Sequence, residues 1–546
     1  MLEQLNLDAI DDLAGAQQAL RLVLNLVEEL KQENQALREQ VQQLRDEIAR
    51  LKGEQGRPAI KGNKKKAPDH SSERERKQRK PRRKRSKLDQ IKIDREEVLP
   101  VDPRSLPPDA EFKGYETVVV QDVRLQTDNV RFLREKYDSP QSQQSYLAPL
   151  PPGYSGQFGP TVRALVIAFY YAAGMSESKI GDLLAQMGIS ISAGQISNLL
   201  VKQSAPWQAE AASVLQAGLA SSDWQHLDET ATRVDGVNHY CHVLCNPFYS
   251  WYATRPRKDR LTLIAVLQHT AEPRYLINRQ TFDYLASFNV PQWAQALIGQ
   301  WPHDAPIAQE TIQAWLARDL AGRLNDQQQA RVLEAAALSA YYAQEEVPLI
   351  PILLTDDASQ FRHLSETHAL CWIHEGRHYK KLTPFVPLHR DLLDDFLGEF
   401  WAYYHQLQQY RADPQPADAA RLRQRFEELF TTETGYAALD KRIALTYAKG
   451  EQLLVVLDHP TLPLHNNPAE LAARQRVRKR DVSFGPRTQE GVTAWDTFMS
   501  LAETTKKLGL SFYEYVLDRV AQRNAIPPLA DLIRQQSDAA TIPIPP

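Results

Sequence analysis

Apolar residues recur at three- and four-residue spacing from residue 16 to 52. Leu20, Val27, Asn34, Val41 and Ile48 take the a positions of a heptad, and Val23, Leu30, Leu37, Leu44 and Leu51 take d. β-Branched residues at a with Leu at d favour a parallel two-stranded coiled coil, and one polar a residue, here Asn34, fixes register and dimer state at some cost in stability. Glu33 and Glu47 stand where Arg38 and Lys52 of a second copy would meet them. A homodimer through this segment is the expectation. The alternative is a long amphipathic helix packed on its own chain.

The periodicity changes several times after that. Residues 53–110, rich in Lys, Arg, Pro and Ser, read as a basic disordered linker. Alternation at Glu116–Val120 and Val130–Leu133 predicts a small β module over 111–150, and Pro and Gly between 140 and 159 mark its boundary. Helical spacing returns from 158 to 204. Pro160 opens a first helix, Ser176 caps a second that Gly188 ends, and Ser192 caps a third. A capped helix after a glycine turn fits a helix-turn-helix, whose last helix would turn Gln195, Asn198 and Lys202 to a major groove; a plain three-helix bundle fits equally.

From 220 to 523 the pattern is α/β. Strands are predicted at Trp224–Asp228, Ala231–Val234, His239–Asn246, Ser250–Thr254, Leu349–Leu354 and Ala369–Ile373, with a turn at Asp235-Gly236. A helix is predicted near Arg260–Leu267 and another after Asn466-Asn467-Pro468, with helical insertions over 271–347 and 388–458 and a tail at 524–546.

Composition narrows the class. The chain has 546 residues, 42% hydrophobic and 24% charged, as ordinary globular proteins of several domains have. Three cysteines are too few for a disulfide framework. No signal peptide and no apolar run long enough for a bilayer is visible, so a cytoplasmic, membrane-free setting is expected. The net charge of −3 conceals an asymmetry, because residues 61–87 hold fourteen Lys and Arg, among them Arg82, Arg83, Lys84 and Arg85, against three acids. Such an arm on an otherwise acidic chain points to nucleic acid, bound in a salt-dependent way.

Three acids stand out by position. Asp228 and Asp356 end predicted strands, and Glu470 lies in the first turn of a helix. Oxygen ligands of this kind suit Mg²⁺, and two such ions can activate a nucleophile and stabilise a leaving oxygen in phosphoryl transfer. Asp228 and Glu229 face opposite ways on a strand, so one of them lines a given site. Whether Asp356 or its neighbour Asp357 is the second acid stays open. Beyond Glu470 the helix carries Arg474, Arg478, Lys479 and Arg480, a cluster suited to phosphates.

Four blocks carry a resemblance: Leu227-Asp228-Glu229-Thr230; Leu354-Thr355-Asp356; Cys371-Trp372-Ile373-His374; and Asn466-Asn467-Pro468-Ala469-Glu470 with Arg474. Phe158-Gly159-Pro160 and Ser500-Leu501-Ala502-Glu503-Thr504 fit the same pattern. Over roughly residues 120–520 the chain resembles the insertion-sequence-66 family of bacterial transposases. The resemblance implies a ribonuclease H-like core and Asp228, Asp356 and Glu470 as ligands of two Mg²⁺ or Mn²⁺ ions. It also implies end cleavage and strand transfer on double-stranded DNA, at terminal inverted repeats and a target. It further suggests a higher assembly on DNA, element-encoded accessory proteins and a bacterial, nucleoid-associated location. Two departures stand out. Residues 90–150 lack the cysteines of the zinc motif that many members carry, and Asp357 replaces a frequent Gly.

Rival readings exist. His374-Glu375-Gly376-Arg377-His378 matches a zinc metallopeptidase string, with Glu399 downstream, although Gly376 weakens the required helix. Cys241, His242 and Cys245 invite a zinc reading but fit a buried strand better. A catalytically inactive DNA-binding derivative of a transposase is the third possibility.

Overall fold

The computed structural model describes residues 12–52, 91–123 and 125–541. The basic arm, with Arg82, Arg83, Lys84 and Arg85, lies outside them.

Helix α1 (Leu13–Leu51) is unbroken, and Asp12 caps it through the Gly15 amide at 2.7 Å. Its two faces differ in kind. Leu20, Leu30, Leu37, Leu44 and Ile48, from the a and d series, are exposed. The opposite face docks on the chain itself. Asn25 donates to the Gly435 carbonyl and accepts from the Ala437 amide, both at 3.0 Å. Glu28 is 2% exposed and accepts from the Phe385 and Val386 amides at 2.8 and 2.9 Å, with His389 Nδ1 at 3.3 Å. Burial alone would raise the Glu28 carboxyl; the amides, Gln32 and His389 outweigh it and hold the carboxyl below its ordinary value.

The β module is smaller than its alternation predicts. Residues 116–120 and 130–133 form no strand, and the hairpin that does form is β1 (Lys136–Ser139) with β2 (Gln144–Leu147). Exposed apolar residues such as Val118 and Val120 have no strand to pair with, so alternation alone did not make a sheet. Next come α2 (Pro160–Tyr171), α3 (Glu177–Gln186) and α4 (Ala193–Val201), with the Ser176 and Ser192 caps in place and Gly188 at φ +81 after α3. Helix α5 (Ala205–Ala220) leads into the sheet.

The central sheet is mixed. Strands β3 (Trp224–Val234), β4 (Val237–Cys245) and β5 (Ser250–Arg255) are antiparallel neighbours around the Asp235-Gly236 turn. Strands β6 (Ile352–Thr355) and β7 (Thr367–Leu370) add in parallel on the other side of β3, giving the order β5-β4-β3-β6-β7. Helix α6 (Arg260–Leu267) follows β5. The first insertion supplies α7 (Arg279–Ser287), α8 (Gln292–Ile298), α9 (Gln309–Asp319) and α10 (Asp326–Ala343), whose apolar residues join the core of the sheet.

A second, aromatic core holds α11 (Trp372–Lys380), α12 (Pro387–Ala412), α13 (Pro416–Phe430), α14 (Ala437–Tyr447) and α15 (Gly450–Leu453). Helix α11 starts at Trp372, where alternation predicted strand, and runs through Gly376. A Cβ at Gly376 would meet the Trp401 ring at 2.7 Å, so the glycine admits the ring and its low helix propensity is outweighed.

Helix α16 (Asn467–Ser483) returns to the sheet, followed by α17 (Gln489–Lys507), α18 (Phe512–Val520) and α19 (Leu529–Thr541). The edge strand β5 is closed by α17. The amides of Ser250, Tyr252 and Thr254 donate to Thr504 Oγ1, Ser500 Oγ and Asp496 Oδ2 at 3.2, 2.9 and 2.6 Å. Three residues on one helix face, four apart, thus match every second residue of a strand and satisfy an edge that would otherwise invite a foreign strand. Among the described residues no helix is long and apolar enough to cross a membrane.

Glu28→Gln is expected to weaken docking of α1 by about 1–3 kcal/mol, as loss of hydrogen bonds to a charge does. The lowered carboxyl gives stability present above the ordinary glutamate value and lost as pH falls through the folded value. Hydrogen exchange at residues 385–389 should therefore accelerate at acid pH in the native chain, and already at neutral pH in the variant. Equal protection in both would refute the role of Glu28.

Candidate functional site

Parallel pairing decides where the acids fall. Trp224, Gln225 and His226 of β3 lie beside Ile352, Leu353 and Leu354 of β6. Two residues further along the same register stand Asp228 and Asp356, and adjacent strands are spaced about 4.8 Å apart. Asp356 follows the end of β6. Asp228 lies within β3, which does not stop there as the sequence predicted but runs on to Val234, with Asp228 opposite Val243 of β4.

The third acid is delivered by hydrogen bonds. Asn466, just before α16, donates its side-chain amide to the Leu227 carbonyl at 2.8 Å and accepts from His226 Nδ1 at 3.0 Å. Its backbone amide donates to Cys371 Sγ at 3.3 Å, and the Cys371 amide donates to the Thr355 carbonyl at 3.0 Å. The residue before Asp228, the residue before Asp356 and the residue one turn before Glu470 are thereby joined through Cys371. Pro468 lies in the first turn of α16, where a missing N–H costs nothing.

The electrostatics follow. The Asp228 carboxyl is pushed up to about 7, first by burial and then by the charges of Glu470, Asp356 and Glu229, against one amide hydrogen bond from Glu229. Glu229 is turned to Lys258 at 3.2 Å and Gln360 at 3.0 Å. Asp357 is engaged elsewhere, with Lys449 Nζ at 2.7 Å and Arg362 at 3.2 Å, and its carboxyl is held below the ordinary value: burial opposes ionisation, and the Lys449 and Arg362 contacts outweigh it. Asp356 instead accepts from the Ala358 amide at 3.0 Å, and its charge acts on Asp228, Glu229 and His374.

Two residues beside Glu470 had no assigned role in the sequence. His374 Nε2 lies 3.6 Å from Glu470 Oε1, and Arg377 donates to Oε2 at 3.3 Å. The next residue of the metallopeptidase string points the other way. Glu375 is buried against Arg442, accepts from Thr446 at 2.6 Å and meets Lys449 at 3.3 Å. A carboxylate so paired does not serve as general base, which removes the support for that reading. Cys241, Cys245 and Cys371 are buried free thiols.

The basic residues of α16 divide by face. Arg474 and Arg478 are exposed. Arg480 is half-buried and donates to the Ala231 carbonyl at 2.7 Å. Lys479 was expected at phosphates and is instead buried: its ammonium sits 3.1 Å from the Tyr170 ring centre and donates to the Met175 carbonyl at 2.9 Å. Arg476 is also fully buried, over Trp495 and bonded to Thr254 at 2.9 Å. On α4, Gln195 and Asn198 are half-buried, while Lys202 is exposed beside a cavity of about 580 Å³ that Arg163, Glu210 and Arg519 also line.

The family model described as "Transposase IS66 family" matches residues 155–272 and 305–494. The chain belongs to the IS66 transposase family. The matched residues include all three acids, Asn466, Cys371 and the α2–α4 segment. Within this IS66 chain the unmatched stretch 273–304 holds α7 and α8. A relative in Sinorhizobium fredii, the uncharacterized protein y4jO, is 32% identical over 324 residues, which are 59% of this chain and 99% of that protein.

Asn466→Ala should leave the Leu227 carbonyl and His226 Nδ1 unpaired, at about 1–3 kcal/mol for each buried group. Urea unfolding is the measurement, and a midpoint equal to the native one would show that the amide does not hold α16 to β3.

Proposed function

We propose that this transposase cuts and joins DNA with Asp228, Asp356 and Glu470 as the ligands of two Mg²⁺ or Mn²⁺ ions, in a core of the ribonuclease H type. The observation that carries the reading is the parallel register that sets Asp228 of β3 beside Asp356 at the end of β6, with Asn466, one turn before Glu470, bonded to the residue before Asp228. The chemistry of the donors fits, because carboxylates whose charges oppose one another at Asp228 suit a hard divalent cation. Among the described residues no three such side chains stand close enough to grip an ion as they are, so the acids would have to draw together on binding one. When bound, such ions supply activation of the attacking oxygen and stabilisation of the leaving oxygen. The chain's own residues do the rest. Asp228 within β3 and Asp356 at the end of β6 present their oxygens from a rigid sheet. Arg377 and His374 steady Glu470. Exposed Arg474 and Arg478, at i+4 and i+8 from Glu470, orient the phosphate backbone along α16.

Helices α2–α4 serve as a helix-turn-helix, and α1 pairs with a second copy through its exposed a and d residues, with Glu33 meeting Arg38 and Glu47 meeting Lys52. The docked face of α1 is opposite, so both contacts are compatible.

Cleavage and joining of the element's terminal inverted repeats with Mg²⁺ is the test. Asp228→Ala, Asp356→Ala and Glu470→Ala should each lose more than about a hundredfold, beyond the effect of an outer-shell partner, while Asp357→Asn keeps metal-dependent activity. If the native chain binds these ends and cuts none, the enzymatic reading fails. If Asp357→Asn is dead and Asp356→Ala is not, the second ligand is misassigned.

Asn34→Val should change oligomeric state or register while leaving the fold intact. Light scattering that finds the native chain monomeric would refute the pairing of α1.

A further inference from the structure

Helix α16 ends in an unusual way. The position after the last helical turn commonly adopts the left-handed conformation and is usually glycine. Here Phe484 occupies it, at φ +60 and ψ 3, with Gly485 one residue later at φ +88. A bulky residue at positive φ is strained, by about 1–3 kcal/mol. The same side chain is 86% exposed, so the strain gains no burial within the chain.

The surroundings hold it there. The Phe484 amide donates to the Arg480 carbonyl at 2.8 Å. A Cβ on Gly485 would meet the Arg233 carbonyl at 2.7 Å, so the loop lies tight against the β3–β4 hairpin. The Asp235 amide donates to the Pro486 carbonyl at 3.2 Å, and Arg480 reaches the Ala231 carbonyl at 2.7 Å. The loop is thus fastened from several sides while its aromatic ring stays uncovered. Val482 and Val237 are exposed nearby in sequence and hairpin.

The charges indicate the partner. Arg233, Arg478 and Arg487 are exposed on the same helix end, hairpin and loop, and Arg480 is half-buried among them. Asp235, Asp481 and Glu490 are the acids of these segments, and Asp481 lies 3.5 Å from Arg480. Guanidinium groups around a free aromatic ring match a nucleic acid, with phosphates for the cations and a base face for the ring. Direction agrees as well. At 100° per residue, Glu470, Arg474 and Arg478 fall on one side of α16, and Phe484 stands just beyond its last turn. Fourteen residues at 1.5 Å rise place Phe484 about 21 Å from Glu470, or roughly six base pairs along a duplex.

We propose that Phe484 is a base-stacking wedge, which takes the face of an unstacked DNA base several base pairs from the phosphate held at the acidic site. The proposal rests on the DNA-processing reading given above. The strained backbone keeps the ring projecting, so that stacking requires no ordering at the moment of binding.

The test uses the full chain and a duplex of the element's own terminal sequence, with 2-aminopurine placed at successive positions. The native chain should raise fluorescence at one position away from the cleavage point, as an unstacked base does. Phe484→Ala should abolish that rise and weaken binding by about five- to a hundredfold, the worth of one stacked base. Phe484→Trp should keep it. Phe484→Gly separates this role from a structural one, because it relieves the left-handed strain: Tm should rise while DNA affinity falls. If the native chain cuts the duplex and Phe484→Ala gives the same fluorescence profile and affinity, the wedge is wrong and the reaction stands. If the native chain neither binds nor cuts the duplex, both readings fail.

Discussion

The fold turns on one asparagine. Asn466 uses its side-chain oxygen, its side-chain amide and its backbone amide on three different partners, namely His226, the Leu227 carbonyl and Cys371 Sγ. Those partners belong to β3 and to the start of α11, and Cys371 continues to β6 through the Thr355 carbonyl. All of these groups are buried. A buried amide satisfied this fully is specific as well as stabilising, since any shift of α16 would leave several polar atoms without partners. The burial also explains why His226 is held down to about 3: desolvation is the first cause, and nearby His465 and Lys507 add to it. The imidazole is neutral, and its Nδ1 proton is fixed on Asn466.

One border of the sheet is closed by side chains. At β5 the closing groups are Thr504, Ser500 and Asp496 of α17. Asp496 in turn sits 3.5 Å from buried Arg476 of α16. The charge of Arg476 is therefore matched at the edge, and its plane is covered by Trp495. On the parallel side of the sheet, Lys449 joins Asp357, just after the interior strand β6, to Glu375 of α11. The second insertion is thereby tied to the strand end that carries Asp356.

Much of this was legible in the sequence, and the failures share a cause. The strand end before Asp356 and the caps Ser176 and Ser192 depend on local pattern, and local pattern found them. The strand end predicted at Asp228 was wrong, because pairing with β4 carries β3 on to Val234. The helical run of α1 was likewise legible in local pattern. The docked face of α1 was not, because Asn25 and Glu28 look like ordinary solvated helix residues until Gly435 and the Phe385–His389 turn are brought to them. Asp356 and Asp357 could not be separated at a strand end, since the deciding groups, Lys449 and Arg362, are remote or unpaired in sequence terms. Lys479 was misread for a related reason. In a run of cations the helical period assigns faces, but only packing says which face is inside, and Tyr170 and Trp495 claim the face of Lys479 and Arg476.

Helix α11 shows what the second insertion contributes. Its His374 and Arg377 meet Glu470, while Trp372, Glu375 and Gly376 enter the aromatic core. The same core receives α12, whose first turn binds Glu28 of α1. A contiguous run of packed and hydrogen-bonded groups therefore extends from α1, through the insertion, to the carboxylate of Glu470. A flexible appendage could not hold the Arg377 guanidinium and the His374 ring against one acid, because each contact would have to repay the ordering of a side chain. The dense packing around Gly376, where even a methyl group has no room, supplies the rigidity that the contact with Glu470 requires. On this account α11 is part of the site's wall, and the aromatic core of the insertion is there to hold one face of it still.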